Sequence, residues 1–581
     1  MVSLLLSSSS SFVAALVMIV VLTVSTVYFY KEFSSRFFND NNNSTTIFSK
    51  IPFAPNSVPI LGHALLYKKD PVGYLQECTT TLGPIFTLNM AGKHMVMICD
   101  QELQQQLAIL PESVLSARQA VADIGFEQTL GILNVHEGTS LHKGIIKGYM
   151  MTQQQIKHKQ NQGKGNDVWI MALRESMQLE LQQQQQKQQG SKDGDTVEFF
   201  HFIRRVMLRT TIHVFLGSSF LHQWSQFDFI HAFMEFQDTL EDVTAKSVIL
   251  PKPLALVLLL WPLQRKRLEL QRIIEKRLKD IHKIDTTVTN CSNSTTTTTG
   301  FWLHALQTEH GYDDGDDSIS KIAELIVGLL FAAHKNPAIG AAQSFLFLQQ
   351  ELDHTQKERC RDEAHNLLIT NNNNNDTAPT TPPPPPPTTT TTSISFLRRV
   401  CLESLRVTAH SIGAVRTVQK DVIVTVNNDN NDNNNNTVHI PKGSNLAFSH
   451  IIPNIAPSIW GGGSSSSSSS GKDTTTSTAT NTTCSSSSSS FNWNHSISLY
   501  QDEYSFTTFS NGIHKCPGQE LALQLMMGVV ALLLVEYTVE LPCDNDIPQL
   551  SFERATLAQR TGPVMVTLSE RKKTDAVVEA E

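Results

Sequence analysis

Charge is scarce in this chain. Asp, Glu, Lys and Arg make up 17% of its 581 residues, against a usual share of about 25%. The 46 basic side chains are outnumbered by 54 acidic ones, giving a net charge of -8. A surface built to attract nucleic acid is therefore excluded. Cysteine is sparse as well: 8 in the whole chain cannot make a disulfide scaffold. With 29 Gly and 24 Pro, the chain is neither collagen-like nor dominated by those two residues. Runs of Asn, Gln, Ser and Thr stand in for the missing charge. A length near 150 residues per domain suggests three or four domains, but such runs bury little. What remains is enough for one enzyme-sized core.

Charge is also absent from residues 1–30, where 12–30 reads FVAALVMIVVLTVSTVYFY, about the length that spans a bilayer core. A membrane helix is expected. A cleaved signal peptide fits less well, because no basic segment precedes the apolar run and Tyr28, Phe29 and Tyr30 stand where small residues would be needed. Lys31 and Arg36 follow directly, which places the remainder of the chain on the cytosolic side. That compartment is reducing and suits cysteines acting as thiols or ligands.

The expected organisation is a membrane anchor over 1–38, a polar linker over 39–50, one folded domain over 51–570 and a tail over 571–581. Pro52, Pro55 and Pro59 stiffen the entry to the folded part. Low-complexity blocks near 182–194, 286–300, 371–393, 427–437 and 461–490 read as disordered surface insertions, since their composition cannot offset chain entropy. A further Gln-rich stretch surrounds Gln153. Between the blocks, helical periodicity covers 322–350, 264–284 and 520–537, with strand-like pieces PIFTLNM, HMVMIC, VIVTV, NLAFS and MVTL. The fold class is mainly α with small β-sheets.

The most specific segment is FSNGIHKCPGQELALQLM, residues 509–526. Phe509, Gly512, His514, Cys516 and Gly518 satisfy the pattern F-x-x-G-x-[RH]-x-C-x-G. A zinc reading of His514 and Cys516 is weak, because no second pair stands at ligand spacing nearby. The pattern resembles that of the haem-thiolate monooxygenases, the cytochrome P-450 superfamily, and the resemblance extends over about 51–567 outside the insertions. It implies the cytochrome P-450 fold and haem b with Cys516 as the axial ligand to iron. The cysteine stands just before a helix start, whose dipole and free amides favour a thiolate, and Pro517 suits a first helical position. Gly512 and Gly518 let backbone approach a flat macrocycle, Phe509 shields the sulfur, and His514 points at a haem propionate. Lys143 and Lys147, in LHKGIIKGYM, are further propionate candidates with imperfect spacing.

Upstream, Glu403-x-x-Arg406 lies on an apolar helix. The same spacing at Glu269/Arg272 and Glu358/Arg361 reads as solvated helix pairs. In the family the equivalent pair locks onto an Arg in a later F-x-P-x-R segment. Here that segment is Phe491-Asn492-Trp493-Asn494-His495, so His495 is expected to complete the lock. Within the superfamily the likeness is to the sterol 14-alpha-demethylase branch, with sterol 7- and 12-hydroxylases and prostacyclin synthase. PNSVPILGHALLYKKDPVGYLQECTTTLGPIFTL, WPLQRKRLELQRII and IPKGSNLAFSH carry it.

One segment departs from the family. The long helix over the distal haem face usually carries [AG]-G-x-[DE]-T, an acid and an alcohol that deliver protons. Here the aligned residues are Ala332-Ala333-His334-Lys335-Asn336-Pro337. Lys335 takes the acid's place and Asn336 the alcohol's, and a protonated His334 or Lys335 is expected to relay protons through water. Pro337 removes an amide hydrogen from the helix and implies a kink. Phe126, Leu130, Leu133 and Ala333 are the candidate substrate contacts, with plain core packing as the alternative for the first three.

The resemblance thus implies a membrane-bound monooxygenase acting on a bulky apolar, sterol- or lipid-like substrate. Electrons would come from an NADPH-dependent reductase, and the setting would be the endoplasmic reticulum with a cytosolic catalytic domain. Because the acid and alcohol are missing, a reductase-independent isomerase or dehydratase of lipid peroxides is the alternative. A non-catalytic haem-binding membrane protein is the third reading. A basic rim including Lys515 would suit an acidic redox partner.

Overall fold

The computed structural model describes residues 23, 26 and 51–571, leaving out 59–60, 92, 161–166, 189–195, 222–227, 248–249, 251, 289–299, 314, 370–394, 410, 412, 427–435, 462–490, 543–545 and 553–556. Apart from residues 23 and 26, the expected membrane anchor, together with the linker, most of the Asn-, Thr- and Ser-rich blocks and the tail beyond residue 571, lies outside the described residues.

The helices that position the site are α1 (Thr139–Gln160), α2 (Asp167–Gln188), α3 (Phe199–Leu216), α4 (Phe229–Ser247) and α5 (Trp261–Val288). They are followed by α6 (Asp316–Ala333), α7 (Lys335–Glu351), α8 (Phe396–Thr408) and α9 (Gln519–Val535). The protein is mainly helical with small sheets. The periodic segments read from the sequence all form helices, within a few residues of the expected limits. The Gln-rich stretches depart from expectation: α1 continues through Gln160 and α2 through Gln188. Glutamine has a helix propensity close to that of leucine, so polarity alone did not make these segments irregular. The block expected over 286–300 likewise begins as helix, up to Val288. Strand Asn436–Ile440 occupies the end of the block expected over 427–437.

The strands β1 (Ile85–Met90), β2 (Lys93–Ile98), β3 (Leu115–Ser116), β4 (Ala414–Val418) and β5 (Asn445–Phe448) form one sheet in the order β1-β2-β5-β4-β3. β1 and β2 are antiparallel with Ile85 opposite Ile98, and β2 runs parallel to β5 with Met95 opposite Asn445. β4 and β5 are antiparallel with Ala414 opposite Phe448. A hairpin of Val422–Val426 and Asn436–Ile440 lies beside it in sequence, and Met565–Glu570 pairs with both Thr196–Glu198 and Tyr537–Glu540. Gly413, just before β4, has φ 121°, and a Cβ there would sit 1.6 Å from the Phe448 carbonyl oxygen.

The largest core lies among the helices. α9 (QELALQLMMGVVALLLV) is buried almost all round, and α7 presents Ala338, Gly340, Ala341 and Ala342 as fully or almost fully buried small residues. A Cβ at Gly340 would come within 3.1 Å of Met526 and Leu405, so α7, α8 and α9 meet at van der Waals distance there. The stretch Asp316–Glu351, α6 and α7 together, is long and apolar enough to cross a membrane, yet 72% of its most apolar window is buried inside the protein. It is the central core helix. It breaks at His334, which ends α6 and starts α7, as Pro337 requires.

Replacing Gly413 with Ala is expected to destabilise the fold by about 2 kcal/mol or more, because it adds backbone strain to a steric overlap with β5. Chemical denaturation of the two proteins checks this.

Candidate active site

The segment ending in Cys516 is a strapped loop. A 3-10 turn, Thr507–Phe509, leads into Ser510 at φ 59°, then a second turn, Gly512–His514. Gly512 has φ 63°, and a Cβ there would lie 2.4 Å from the carbonyl oxygen of Ala108, at the end of the short helix Gln101–Ala108. This position therefore needs glycine for backbone geometry and for its packing neighbour. The Cys516 amide donates to the Phe509 carbonyl at 2.8 Å, closing the loop. Asn511, buried, donates to Gln104 Oε1 at 2.8 Å. The Gly512 amide donates to Glu503 at 2.9 Å.

Cys516 is exposed beside the loop, although enclosure on its other sides pushes its thiol up, with the Gly518 amide acting against this. A Cβ at Gly518 would stand 3.9 Å from Cys516 Sγ, so glycine leaves the sulfur uncovered on that side. α9 starts at Gln519 with Gly518 at its N-cap. The sequence pointed to Pro517 as the first helical residue; it lies instead in the turn before the helix, two residues ahead of Gln519. Phe509 is half-buried against the main core and lies 6.0 Å, ring to ring, from Phe506.

Cations gather beside the loop. Lys143 of α1 donates to the Ile513 carbonyl at 3.0 Å, and His514 Nε2 lies 3.2 Å from Glu112 Oε1. Arg416 of β4 is buried, with its guanidinium over Phe448 and one donor on the Val415 carbonyl. Burial lowers it to about 10, and Glu112 opposes the shift. Burial, with Arg416 adding, holds His450 at about 4. Its Nδ1 meets Ser411 Oγ, and its Nε2 is buried with no hydrogen-bond partner among the described residues. Lys147, one turn beyond Lys143, is exposed. Arg416 was not singled out from sequence. Its signal was a cation inside the strand AVRTV, entering a buried sheet.

The lock is present with different parts. Arg406 makes two bonds to Glu403, at 2.7 and 2.8 Å, with both side chains fully buried. Arg406 also donates to the Asn454 carbonyl and lies over Trp460. The remaining Glu403 capacity is taken by the Tyr500 hydroxyl at 2.6 Å and the Asn492 amide at 2.7 Å. His495 is 3.9 Å from Glu403, too far for a hydrogen bond. It packs edge-on against Trp460, and burial lowers its pKa. Tyr500 fills the role expected of His495.

At the helix break the expected relay residues point away from open space. His334 is fully buried, donates from Nδ1 to the Leu330 carbonyl at 2.7 Å and packs against Phe233. Burial first, then nearby Arg204 and Lys335, bring it to about 3 against the pull of the Leu330 carbonyl, so it is neutral at physiological pH. Lys335 is buried and paired with Asp238 at 2.8 Å and Glu241 at 2.6 Å, both on α4. Ala332 and Asn336 are exposed and Ala333 half-buried, while the residues between and beside them, His334, Lys335 and Pro337, are buried. Small or short side chains therefore border open space on one face of the break. Phe126 is half-buried and edge-on to Phe331 of α6 at 6.0 Å. Leu130 is a buried core residue, and the Leu133 amide donates to Glu324. On the loop's outer rim Lys515 is paired with Glu503 and Arg398 with Glu520, so the basic rim expected from sequence is already neutralised at those positions.

The cytochrome P-450 family model matches residues 52–460 and 490–568. This chain belongs to the cytochrome P-450 family. The matched residues pass over nearly all of the Ser- and Thr-rich block at 461–490. Over 57 residues the chain is 33% identical to a probable lanosterol 14-alpha demethylase of Acanthamoeba polyphaga mimivirus, a stretch covering 10% of this chain and 8% of that protein. Cytochrome P-450 proteins are monooxygenase oxidoreductases that hold haem through a cysteine thiolate. The residues present fit that group. An uncovered sulfur precedes a helix N-terminus, and a buried arginine and a lysine stand beside the loop where propionates need cations. An unpartnered His450 nitrogen lies in the same region, and small residues line one face of the central helix.

Three outcomes follow. Tyr500→Phe removes a bond to a fully buried carboxylate and is expected to cost about 1–3 kcal/mol. Glu403→Gln strands the buried Arg406 charge and is expected to cost about 3–5 kcal/mol. Urea denaturation checks both values and their order. His334 and His450, together with His142, which burial lowers to about 4, are neutral in the fold and bind protons more readily when unfolded. The unfolded chain gains protons below its ordinary value of 6.5. Stability is therefore full above pH 6.5 and falls as pH drops toward 4, by up to about 1.4 kcal/mol per unit and per histidine. His142→Phe should flatten that slope in a pH series of melting curves.

Proposed function

We propose that this protein is a haem-thiolate monooxygenase oxidising a bulky apolar, sterol- or lipid-like substrate, with oxygen and electrons from an NADPH-dependent reductase. The observation that carries this reading is Cys516, held uncovered on a loop closed by its own amide bond to Phe509. Cys516 would be the axial ligand, with Arg416, His514 and Lys143 meeting the propionates. Haem, held by Cys516, would supply the activation of molecular oxygen. The chain's own residues do the rest. Gly512 and Asn511 fix the loop against the helix Gln101–Ala108, and Glu403 holds the polypeptide leading into it.

Asn336, exposed at the helix break, is the side chain available to orient water on the distal side, in place of the usual alcohol. Phe126 and Ala333 would bound an apolar substrate there. The sterol-like assignment rests on the sequence likeness to the demethylase branch and on the short match to the mimivirus protein. We further assign residues 51–570 to one catalytic domain, joined through the linker 39–50 to an anchor over 1–38. Such an anchor would place the domain on the cytosolic face of the endoplasmic reticulum.

Ferrous protein under carbon monoxide should show a strongly red-shifted Soret band, and Cys516→Ala should lose it. A band that persists in the variant overturns the ligand assignment. Titration with a lanosterol-class sterol should then shift the ferric Soret band. If only fatty acyl compounds do so, the sterol assignment falls. Turnover of a lipid hydroperoxide without NADPH, and none with NADPH and oxygen, would overturn the monooxygenase reading.

A further inference from the structure

The position that carries an acid elsewhere in the family carries Lys335 here, and its surroundings are charged in a way that answers it. Lys335 Nζ bonds Asp238 and Glu241 of α4. Asp238 is also held by both terminal nitrogens of Arg204 from α3, each at 3.0 Å. The next residue, Arg205, bonds Glu180 of α2 at 2.6 Å and reaches Asp228, which accepts the His231 amide at the start of α4. Arg209 closes the far end on Glu180. Arg204, Arg205, Arg209 and Lys335 thus stand against Glu180, Asp228, Asp238 and Glu241, equal in number and mostly withdrawn from solvent. A further tie is uncharged: Gln237 of α4 donates to the Phe331 carbonyl, in the last turn of α6, at 3.0 Å.

We infer that Lys335 is a positioning residue, the terminal strut of a charge-balanced band that fixes α4 against the break between α6 and α7. Its ammonium is committed to two carboxylates at hydrogen-bond distance on the α4 side and is turned away from the open face of the break. The same pairs join α4 to the turn that exposes Ala332 and Asn336. The position of α4 relative to that opening is thereby set by charge pairing as well as by the Phe233–His334 contact. The inference rests on the haem-pocket reading only for what the open face beside the break would meet.

Arginine separates the strut from a proton relay, because it keeps the charge and the bonds but does not release a proton at physiological pH. Amide hydrogen exchange on the full-length protein is the measurement. Lys335→Met should speed exchange across residues 229–247 by about tenfold or more, while Lys335→Arg stays within about threefold of the parent. Unchanged exchange in Lys335→Met overturns the inference, and so does an arginine variant as loose as the methionine one. Should Lys335→Met fail to fold, Asp238→Asn and Glu241→Gln take its place. Each should loosen the same segment, and normal exchange in both overturns the inference. The carbon monoxide spectrum of the parent protein tests the haem reading separately, so a missing Soret band with the expected exchange pattern removes the cofactor and leaves the strut.

Discussion

Glu403 is the residue on which the site's backbone converges. It lies at 0% exposure and accepts from Arg406, Tyr500 and the Asn492 amide. These partners come from α8, from the short helix Ile497–Gln501 and from the segment that follows the Ser- and Thr-rich block. Through Arg406 the network reaches the Asn454 carbonyl, and Asn454 Oδ1 in turn accepts the Thr507 amide at the start of the thiolate loop. A buried carboxylate is costly unless its lone pairs are filled. Filling them draws together chain segments separated by long polar stretches. The loop's position therefore follows from a solvation requirement one step removed from the sulfur.

The central helix obeys a second constraint of the same kind. Pro337 cannot donate to the Ala333 carbonyl, so the helix must part there. Two side chains reach the last turn before the break: His334 donates to the Leu330 carbonyl and Gln237 to the Phe331 carbonyl. This turns His334 and Lys335 into the surrounding protein and leaves Ala332 and Asn336 on the open face. The polar residues that looked costly in an apolar helix are buried with partners, and the ones on the open side are the small or uncharged ones.

Legibility in the sequence followed the range of the interaction. The loop from Phe509 to Gly518 could be read because its requirements are local: a glycine at positive φ, an uncovered cysteine and a following helix. The helices could be read because their apolar period is strong, and the Gln-rich stretches were misread because composition was allowed to override propensity. Long-range partners left weaker traces. Tyr500 replaces His495 as the third contact of Glu403, and only the folded chain brings a tyrosine hydroxyl 97 residues away to 2.6 Å. Arg416 was visible as a charge within a short apolar strand, but the sheet that buries it is assembled from four other segments. The facing of His334 and Lys335 depended on α4, which carries Asp238 and Glu241 nearly a hundred residues upstream.

Low overall charge acquires a different meaning in this setting. A chain with 17% charged residues has fewer than usual to spend on its surface, yet several of them are committed to the interior as closed sets. Glu403 with Arg406 and the band from Glu180 to Lys335 each balance their own sign. A balanced set can be withdrawn from water because each member supplies the partner another would otherwise lack, and removing any one member leaves a buried charge unanswered. That asymmetry makes such sets restrictive. They add modestly to stability when complete, but they tolerate few alternative arrangements of the helices that bear them. In this protein both sets tie helices to the polypeptide around the two functional elements, the thiolate loop and the helix break. The interior charges therefore fix geometry beside the exposed Ala332 and Asn336 and behind the loop that carries Cys516.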